Sequence, residues 1–273
     1  MSLDIILLAM LDGLSYGAQV FLVAVGLSLI FGVLRIVNVA HGSFYAIGAY
    51  VAASLGIWIA TAGWSPWLSY PAMLVAAILV GVVVGGLLEA TLLRRIYGKE
   101  QVLQLLVTFA VFMILEDVQK VTWGVKPYFV NTPLSLLGTV NVLGINYSVY
   151  QLAVIPLVAL CVLLGLRFIL RYTRIGRIVT AVTEDREASM AMGVDSSRVY
   201  LFTFMAGAFA VAATAGLGQI EGAAVAALMI GLGRSIAVYL APEFDVLMPY
   251  LIMFVVLLFK PQGLFSTLQT RKV

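Results

Sequence analysis

Residues 171–198 hold the densest group of charges in this chain, RYTRIGRIVTAVTEDREASMAMGVDSSR, between two strongly apolar segments. Thr183 is a favourable helix N-cap, and Glu184 and Asp185 would place negative charge in the first helical turn, where the helix dipole favours it. Gly193 is a typical helix stop. The pattern predicts a short helix from Thr183 to Gly193 that lies in water. The charged side chains of such a helix would serve to bind another molecule.

This helix is too short to cross a membrane. About nine or ten residues at 1.5 Å each reach roughly 15 Å, half of a bilayer core. We expect it to lie across the mouth of a membrane domain, with Ala188, Ala191 and Met192 on one side and charges on the other. Such a helix suits a partner that pushes on it. The competing interpretation is an ordinary solvated loop helix.

A second group of polar residues interrupts the apolar sequence near the N-terminus. Arg35, Asn38 and His41 stand within seven residues between two apolar runs, with Gly42 at the bend. This pattern predicts a discontinuous helix or a tight re-entrant bend, whose backbone groups must be satisfied by protein or by a water-filled cavity. Polar residues at membrane depth are candidates for function. Alternatively, Asn38 and His41 cap helix ends and hold a hairpin together.

The composition indicates a polytopic membrane protein. Hydrophobic residues make up 63% and charged residues 11% of the 273 residues, whereas soluble domains carry roughly 25% charged residues. No soluble domain fits between the apolar runs, so any enzymatic engine must belong to another chain. Cys161 is the only cysteine, which excludes a disulfide framework and a thiolate metal site. A single histidine and the absence of paired carboxylates at Gly-Asp turns argue against an intramembrane hydrolase.

The apolar runs predict an all-α fold with about eight transmembrane helices. Their expected positions are 14–34, 43–62, 68–93, 102–118, 149–170, 199–217, 219–240 and 246–259. Residues 5–11 are expected to form an interfacial stub, because Asp12 and Gly13 follow them. Residues 121–147 are rich in proline and asparagine, and predict an external loop with a short hairpin. Small residues spaced four apart, such as Gly81 and Gly85, predict close helix packing.

Basic residues predict the orientation of the segments. Arg94, Arg95 and Lys99 mark a cytoplasmic side, as do the arginines of 171–198. This places the N-terminus outside and the basic C-terminal tail inside, which requires an odd number of crossings. Because eight are counted, either one of the late segments is re-entrant or a segment is missing between about 215 and 219, and we favour the missing segment.

Three stretches of this sequence resemble the permeases of branched-chain amino acid ABC importers. Residues 13–52 are similar to the opening of those permeases, with their Asn-x-Ala-His-Gly turn at Asn38, Ala40, His41 and Gly42. Residues 173–204 resemble the cytoplasmic loop of the family that docks on ATPase subunits, and residues 260–265 read KPQGLF, similar to the family's terminal motif. The resemblance covers nearly the whole chain.

The sequence departs from the family pattern at one place. The family has an external loop and a further short membrane segment before a Gly-Gly-x-Gly-Ser-x-x-Gly turn. This chain runs from residues 214–216 directly into a turn-like 216–222, GLGQIEG. The departure falls where the count of crossings already requires a missing segment.

The resemblance implies the function of an importer subunit. Residues 1–273 would form one transmembrane domain in a bacterial inner membrane, N-terminus outside and C-terminus cytoplasmic, with 171–198 as its cytoplasmic coupling loop. Its partners would be a similar or identical second permease, two cytoplasmic ATPases, an extracytoplasmic substrate-binding protein and membrane lipid, with no nucleic acid. This chain would bind no cofactor, and ATP and Mg would be bound by the partner subunits. The substrates implied are branched-chain or other hydrophobic amino acids.

The resemblance and the charge pattern together nominate two sets of site residues. The contacts with the ATPase are expected at Thr183, Glu184, Asp185, Arg186, Glu187, Ala188, Ser189 and Gly193. The translocation path or its bend is expected to involve Asn38, His41, Gly42, Gln219 and Glu221.

Two other functions stay open. Related permeases serve urea and amides. A proton- or sodium-coupled secondary transporter would need ionisable residues near the bilayer middle, for which Glu89, Glu221 and Arg234 are the available residues.

Overall fold

The computed structural model describes residues 3–125, 132–213, 220–240, 242–244 and 246–259. The helices are α1 (Leu3–Leu34), α2 (His41–Thr61), α3 (Pro66–Ile96), α4 (Gln101–Trp123), α5 (Thr132–Ser135), α6 (Tyr150–Tyr172), α7 (Arg174–Glu184), α8 (Arg186–Ala191), α9 (Ser196–Ala212), α10 (Ile220–Leu240) and α11 (Met248–Phe259). Strands β1 (Thr139–Val142) and β2 (Ile145–Ser148) form a hairpin, and a 3₁₀ turn, Pro242–Phe244, precedes α11.

The predicted fold class is confirmed: the protein is a helical polytopic membrane protein. Among the described residues, five helices are long and apolar enough to cross a bilayer, namely α1, α2, α3, α4 and α6. The other apolar helices, α9, α10 and α11, lie at the remaining predicted positions. The structure therefore supports five of the eight predicted crossings by length and composition.

The predicted interfacial stub at residues 5–11 is wrong. Helix α1 is continuous over 32 residues. The glycine at position 13 does not interrupt it, because this residue lies where α1 meets α10 and a methyl group there would come within 2.9 Å of the Leu232 backbone. In lipid, glycine at such a place serves close packing between helices.

Helix α9 occupies the centre of the bundle. Phe204 and Ala208 are fully buried, and the Phe204 ring meets Phe44 of α2 edge-on with centroids 5.9 Å apart. On another side α9 packs against α3, where methyl groups at Gly81 and Gly85 would lie 2.5 Å and 2.7 Å from the Cβ atoms of Phe209 and Ala208. The predicted close packing through small residues is confirmed here.

Helix α3 is continuous but not uniformly α-helical. Its segments Val80–Gly85 and Glu89–Leu93 are π-helical. The first π segment contains the glycines that receive α9. Wider turns of this kind interrupt the regular hydrogen-bond pattern of a helix and are frequent at functional sites.

The two ends of the bundle differ in chemistry. One end, called here the basic end, holds the α1–α2 bend, the α3–α4 turn and helices α7 and α8. At the opposite end the Tyr239 hydroxyl donates to Asp12 Oδ2 at 2.6 Å, and the Trp58 and Trp64 rings lie 4.9 Å apart. The predicted hairpin is confirmed at this opposite end, with Gly144 at φ +86° in its turn.

Helices α9 and α10 run in the same direction. Helix α9 starts at the basic end, and its Gly207 faces Gly26 and Ile30 of α1. Helix α10 finishes at the opposite end, where Tyr239 binds Asp12. Both are therefore antiparallel to α1. The missing segment that we predict at about 215–219 lies outside the described residues and stays a prediction.

The contact between α1 and α10 generates a first test. A methyl group on Gly231 would overlap the backbone of Gly13 and Gly17. We therefore expect Gly231→Ala to lower the free energy of unfolding by about 1–3 kcal/mol, the usual cost of overpacking. The thermal unfolding midpoint of the detergent-solubilised protein would report the loss.

Gly165→Ala is the matched control for this test. Gly165 has no atom within 4 Å of an added methyl group. Because alanine is also the better helix former, the control should leave the midpoint unchanged or raise it slightly. An equal drop in both variants would contradict the packing described for α1 and α10.

Candidate functional site

Helix α8 is a short helix with a defined start and a defined end. Asp185 precedes it with extended backbone, φ −144°, and its Oδ1 accepts a hydrogen bond from the Ala188 N–H at 2.9 Å. At the other end Gly193 has φ +86°, and its N–H donates to the Met190 carbonyl at 3.0 Å. With six residues, α8 reaches only about 9 Å.

The predicted N-cap at Thr183 is wrong. Thr183 lies in the last turn of α7, where its hydroxyl donates to the Val179 carbonyl at 2.8 Å. The chain stays helical there because α7 packs its buried Gly176 and Val182 against the bundle. Glu184 also belongs to α7, so the helix at the predicted site starts at Arg186 with Asp185 as its cap. The apolar spacing of 175, 178, 179 and 182 was the signal for α7.

The surface of α8 is free in this protein. Of its residues only Ser189 is buried, whereas Arg186, Glu187 and Ala188 are exposed. Ala191 is also exposed, as are Met190 and Met192, the latter to 86%. Charged and apolar side chains therefore stand together on a helix that has room for another subunit.

Helix α8 is attached to the membrane helices through Arg186. The Arg186 Nε donates to Ser196 Oγ at 3.3 Å, and its guanidinium lies 5.4 Å from the centroid of the Tyr200 ring. The preceding helix α7 is held by Arg35, which donates to the Thr183 carbonyl at 3.3 Å. The charged stretch and the polar bend of the sequence are thus brought together at the basic end.

The bend between α1 and α2 is closed by side chains. The Asn38 Oδ1 accepts from the Ala40 N–H at 3.1 Å. Thr108 of α4 serves both sides of the bend: its hydroxyl accepts from the Val39 N–H at 3.4 Å and lies within donating distance, 3.2 Å, of the Val37 carbonyl. Protein groups therefore satisfy the interrupted backbone, as its surroundings require. Thr108 lies in an apolar run, and the sequence offered no signal for its role.

Glycine is not the residue that turns the chain at this bend. Arg35 takes the left-handed conformation, φ +55°, and ends α1. Gly42 lies in the first turn of α2, and a methyl group there would meet no atom within 4 Å. The expectation that Gly42 forms the bend is therefore wrong, because the turn is completed before the chain reaches it.

Several buried polar atoms at the bend have no hydrogen-bond partner in the described part of the chain. They are Asn38 Nδ2, both ring nitrogens of His41 and Ser43 Oγ. A cavity of about 10 Å³ beside them is lined by Asn38, Phe44, Thr108 and Phe204, among others. The atoms that face this cavity are apolar, so it offers these polar groups no hydrogen-bond partner.

The remaining candidates are dispersed through the bundle. Gln219 lies outside the described residues, and Glu221 belongs to the first turn of α10. Arg234 lies over the ring of Tyr16, 4.3 Å from its centroid. Glu89 is fully buried, and its Oε1 accepts from the Tyr97 hydroxyl at 2.9 Å. The three ionisable residues nominated for ion coupling are thus spread over α3 and α10.

Comparison with known protein families identifies the chain. Residues 9–217, more than half of the sequence, match the family model described as branched-chain amino acid transport system / permease component. The chain belongs to this family. The matched range contains both the α1–α2 bend and helix α8, whereas α10 and α11 lie beyond it.

Curated relatives of this permease are similar over nearly their whole length. The high-affinity branched-chain amino acid transport system permease protein LivH of Escherichia coli K12 is 25% identical over 302 residues, 97% of this chain and 96% of LivH. BraD of Pseudomonas aeruginosa is 24% identical, covering 97% of each chain. A probable LivH of Methanocaldococcus jannaschii is 26% identical, covering 91% of this chain and 89% of its own. No solved structure shows significant similarity to the permease.

The family settles the general character of the permease. Its relatives are named as transport permease proteins and not as enzymes. The expectation that this chain is a transport permease is therefore confirmed. With its long apolar helices, it is a multi-pass membrane permease.

The cap of α8 provides a second test. Replacing Asp185 with alanine removes the acceptor for the Ala188 N–H, a loss that typically costs about 1 kcal/mol. We expect Asp185→Ala to accelerate hydrogen exchange of the α8 amides about fivefold. Asp185→Asn keeps a capping oxygen and should restore most of the protection.

Thr183→Ala separates the observed cap from the predicted one. Thr183 bonds back to Val179 within α7 and makes no bond to α8. Exchange in α8 should therefore stay at the parent rate. Acceleration by Thr183→Ala equal to that by Asp185→Ala would show that α8 begins at Thr183 after all.

Proposed function

We propose that this permease is the membrane-spanning subunit of an ATP-binding cassette importer, and that α8 is the helix on which partner ATPases act. The observation that carries the proposal is a six-residue helix, capped at both ends and exposed on nearly all sides, standing at the basic end of a membrane bundle. A helix this short has no role in spanning lipid. Its exposed charges and methionines are suited to a protein partner.

Movement of α8 would reach the membrane helices as rigid-body tilting. Asp195 accepts hydrogen bonds from the Ser197 and Arg198 N–H groups at 3.1 Å and 3.2 Å, and so caps α9. Only residues 192–195 separate α8 from α9. A short connection with ordered ends transmits displacement, because little of it is free to bend. Rigid elements moving in this way are a common route to alternating exposure of a path.

The proposed orientation places the basic end in the cytoplasm. Arg94, Arg95 and Lys99 stand at this end together with the arginines of α7, and such residues are concentrated on the cytoplasmic side of membrane proteins. The N-terminus would then lie outside and the C-terminus inside, in a bacterial inner membrane. Two cytoplasmic ATPases would contact α8 on this permease and on a similar or identical second permease, and would bind ATP and Mg. A binding protein would dock on the outer end.

We also propose that a segment is missing from this sequence near residues 215–219. Two observations support it. Helices α9 and α10 run in the same direction although they follow each other in the chain. The alignment with LivH spans 302 positions, more than the 273 residues here, so LivH contains residues without a counterpart in this chain.

Branched-chain or other hydrophobic amino acids are the proposed substrates. The support is the family description together with the names of LivH and BraD, which are branched-chain amino acid transport permeases. The bend around Asn38 and His41 would stand beside the path, because buried polar atoms without hydrogen-bond partners in the described residues are candidates for function at membrane depth. Urea or short amides are the alternative substrates, and transport assays with these solutes would decide.

An ion-coupled secondary transporter receives less support. Glu89, the buried carboxylate, accepts from Tyr97 and lies 3.8 Å from Arg94. It is thus engaged with groups at the basic end of α3. Solute transport by the isolated chain in liposomes, driven by an ion gradient without ATPases, would favour this class and overturn the importer.

The third test removes the end of α8. Gly193 has a left-handed backbone that side chains rarely adopt, φ +86°, so Gly193→Val should distort the C-terminus of α8. We expect the assembled complex to lose stimulation of ATP hydrolysis by the loaded binding protein, about tenfold or more, while the variant still inserts in the membrane.

Gly124→Val is its matched control. Gly124 also has a positive φ, +78°, and follows a helix, but it stands at the opposite end after α4. It controls for backbone strain. Because the binding protein is proposed to dock at this end, stimulation is measured with saturating loaded binding protein, and the complex should retain it. Full stimulation in the Gly193 variant, with chain levels equal to the parent, would refute the assignment of α8.

The fourth test addresses orientation. After Cys161→Ser removes the native thiol, Met192→Cys places a thiol on the exposed surface of α8, and Ala62→Cys places one after α2 at the opposite end. A membrane-impermeant maleimide should label the Ala62 variant in intact spheroplasts and the Met192 variant only in inside-out vesicles. The reverse pattern would invert the proposed orientation.

A further inference from the structure

A series of contacts runs from the surface of α8 into the membrane part of α3. The Arg186 guanidinium lies over the Tyr200 ring, and Tyr200 meets the Tyr97 ring edge-on, with centroids 5.1 Å apart. The Tyr97 hydroxyl donates to the carboxylate of Glu89 at 2.9 Å. We name this series, which consists of Arg186, Tyr200, Tyr97 and Glu89, the contact relay.

The inner end of the relay is a carboxyl group without access to solvent. Glu89 is 0% exposed, and its Oε2 makes no hydrogen bond within the described residues. Arg94 approaches Oε2 only to 3.8 Å. A buried carboxyl group in a membrane segment is costly unless it is partnered. The Tyr97 hydroxyl therefore supplies the hydrogen bond on which this arrangement depends.

The surroundings of the relay are apolar. Tyr200 belongs to the same buried cluster as Leu93, Ile96 and Val182, and Tyr97 packs against that cluster. Burial, together with the neighbouring Glu89, raises the pKa of Tyr97, so its hydroxyl stays protonated as a donor. Packing alone would be served equally well by leucine or phenylalanine at these positions. A polar pair in an apolar cluster instead specifies one arrangement of the two groups.

The relay ends at a place where α3 departs from regular helix. Glu89 is the first residue of the π-helical segment Glu89–Leu93. The extra width of such a turn leaves the local hydrogen-bond pattern irregular, and kinks are found at these turns. One and two turns earlier, α3 is held tightly against α9 at Gly85 and Gly81. The π turn Glu89–Leu93 is thus the irregular segment of α3 that follows its close contact with α9.

We propose that the contact relay carries displacement of α8 to the π turn of α3, with Glu89 and Tyr97 as positioning residues. The inference rests on the proposed function, in which a partner moves α8. Tyr200 stands in the second turn of α9, directly after the capped connection from α8. A shift of α8 thus moves the Tyr200 ring against the Tyr97 ring. Tyr97 in turn displaces Glu89 through the hydrogen bond between its hydroxyl and the Glu89 carboxylate. Through this route α3 and α9 respond together.

A double-mutant cycle in the assembled importer tests the relay. Tyr97→Phe removes the hydroxyl and keeps the ring, and Glu89→Ala removes the acceptor. Each should lower the ratio of stimulated to basal ATP hydrolysis about fivefold, with leucine as the probe on the binding protein. The double variant should also lose about fivefold, because both changes break the same bond. Independent, multiplying losses would overturn the relay.

Two further variants separate positioning from folding. Glu89→Gln keeps the oxygen that accepts from Tyr97 and should retain most of the stimulation. Tyr172→Phe is the control, since Tyr172 is 69% exposed at the same end of the bundle and lies outside the relay. Stimulation lost equally in the glutamine and alanine variants at Glu89 would overturn the role of this hydrogen bond.

Hydrogen exchange in the permease alone separates the failure of the relay from the failure of the importer proposal. If the relay exists, Glu89→Ala should accelerate exchange of the α8 amides about threefold, although Glu89 makes no direct contact with α8. Unchanged exchange would overturn the relay even if Gly193→Val abolishes stimulation. Stimulation that survives Gly193→Val would refute α8 as the helix on which the ATPases act, the part of the importer proposal on which the relay rests, and accelerated exchange would still support the relay as a structural connection.

Discussion

A membrane offers no hydrogen-bond partner to an interrupted backbone, and this constraint determines how the permease is built. At the α1–α2 bend the partners come from Asn38 and from Thr108 of α4. In the charged loop, which we expect to lie in water, side chains cap the helix starts as well: the Thr173 hydroxyl accepts from the Gly176 N–H at 3.2 Å, and the Asp185 carboxylate accepts from the Ala188 N–H. The irregular segments at the basic end are therefore ordered structures. The two ends of α8 are fixed by hydrogen bonds, as the proposed contact with partner ATPases requires.

Helix packing supplies the second requirement. Since apolar burial gives little drive for helix association in lipid, shape complementarity must hold the bundle together. The permease achieves it with glycine at close approaches between helices, among them Gly231 of α10 against α1 and Gly81 of α3 against α9. Helix α9 thereby connects the centre of the bundle with the surface helix α8. Its Phe204 is buried at the centre, and its Tyr200 contacts Arg186 of α8. The candidate site and the core are parts of one packed unit.

The helical segments could be predicted from apolar runs because each run must match the thickness of a bilayer. The hairpin was predictable from turn residues, and the family from Asn38 to Gly42 and from the charged loop. The errors were local. Thr183 and Asp185 are both good caps, and the packing of Gly176 and Val182 against the bundle keeps Thr183 inside α7. Asp12 and Gly13 read as a helix break, but α10 covers them and α1 continues.

The sequence by itself determined that this protein is a helical membrane permease, which ends carry basic charge, and that a short helix lies between 183 and 193, because composition, length and capping chemistry are local properties. Only the tertiary structure decided that Arg35 meets Thr183, that Thr108 closes a bend some seventy residues away, and that Glu89 receives its hydrogen bond from Tyr97 beside Tyr200. These contacts join segments distant in the chain, and their partners are selected by how helices pack, which no local pattern of residues encodes.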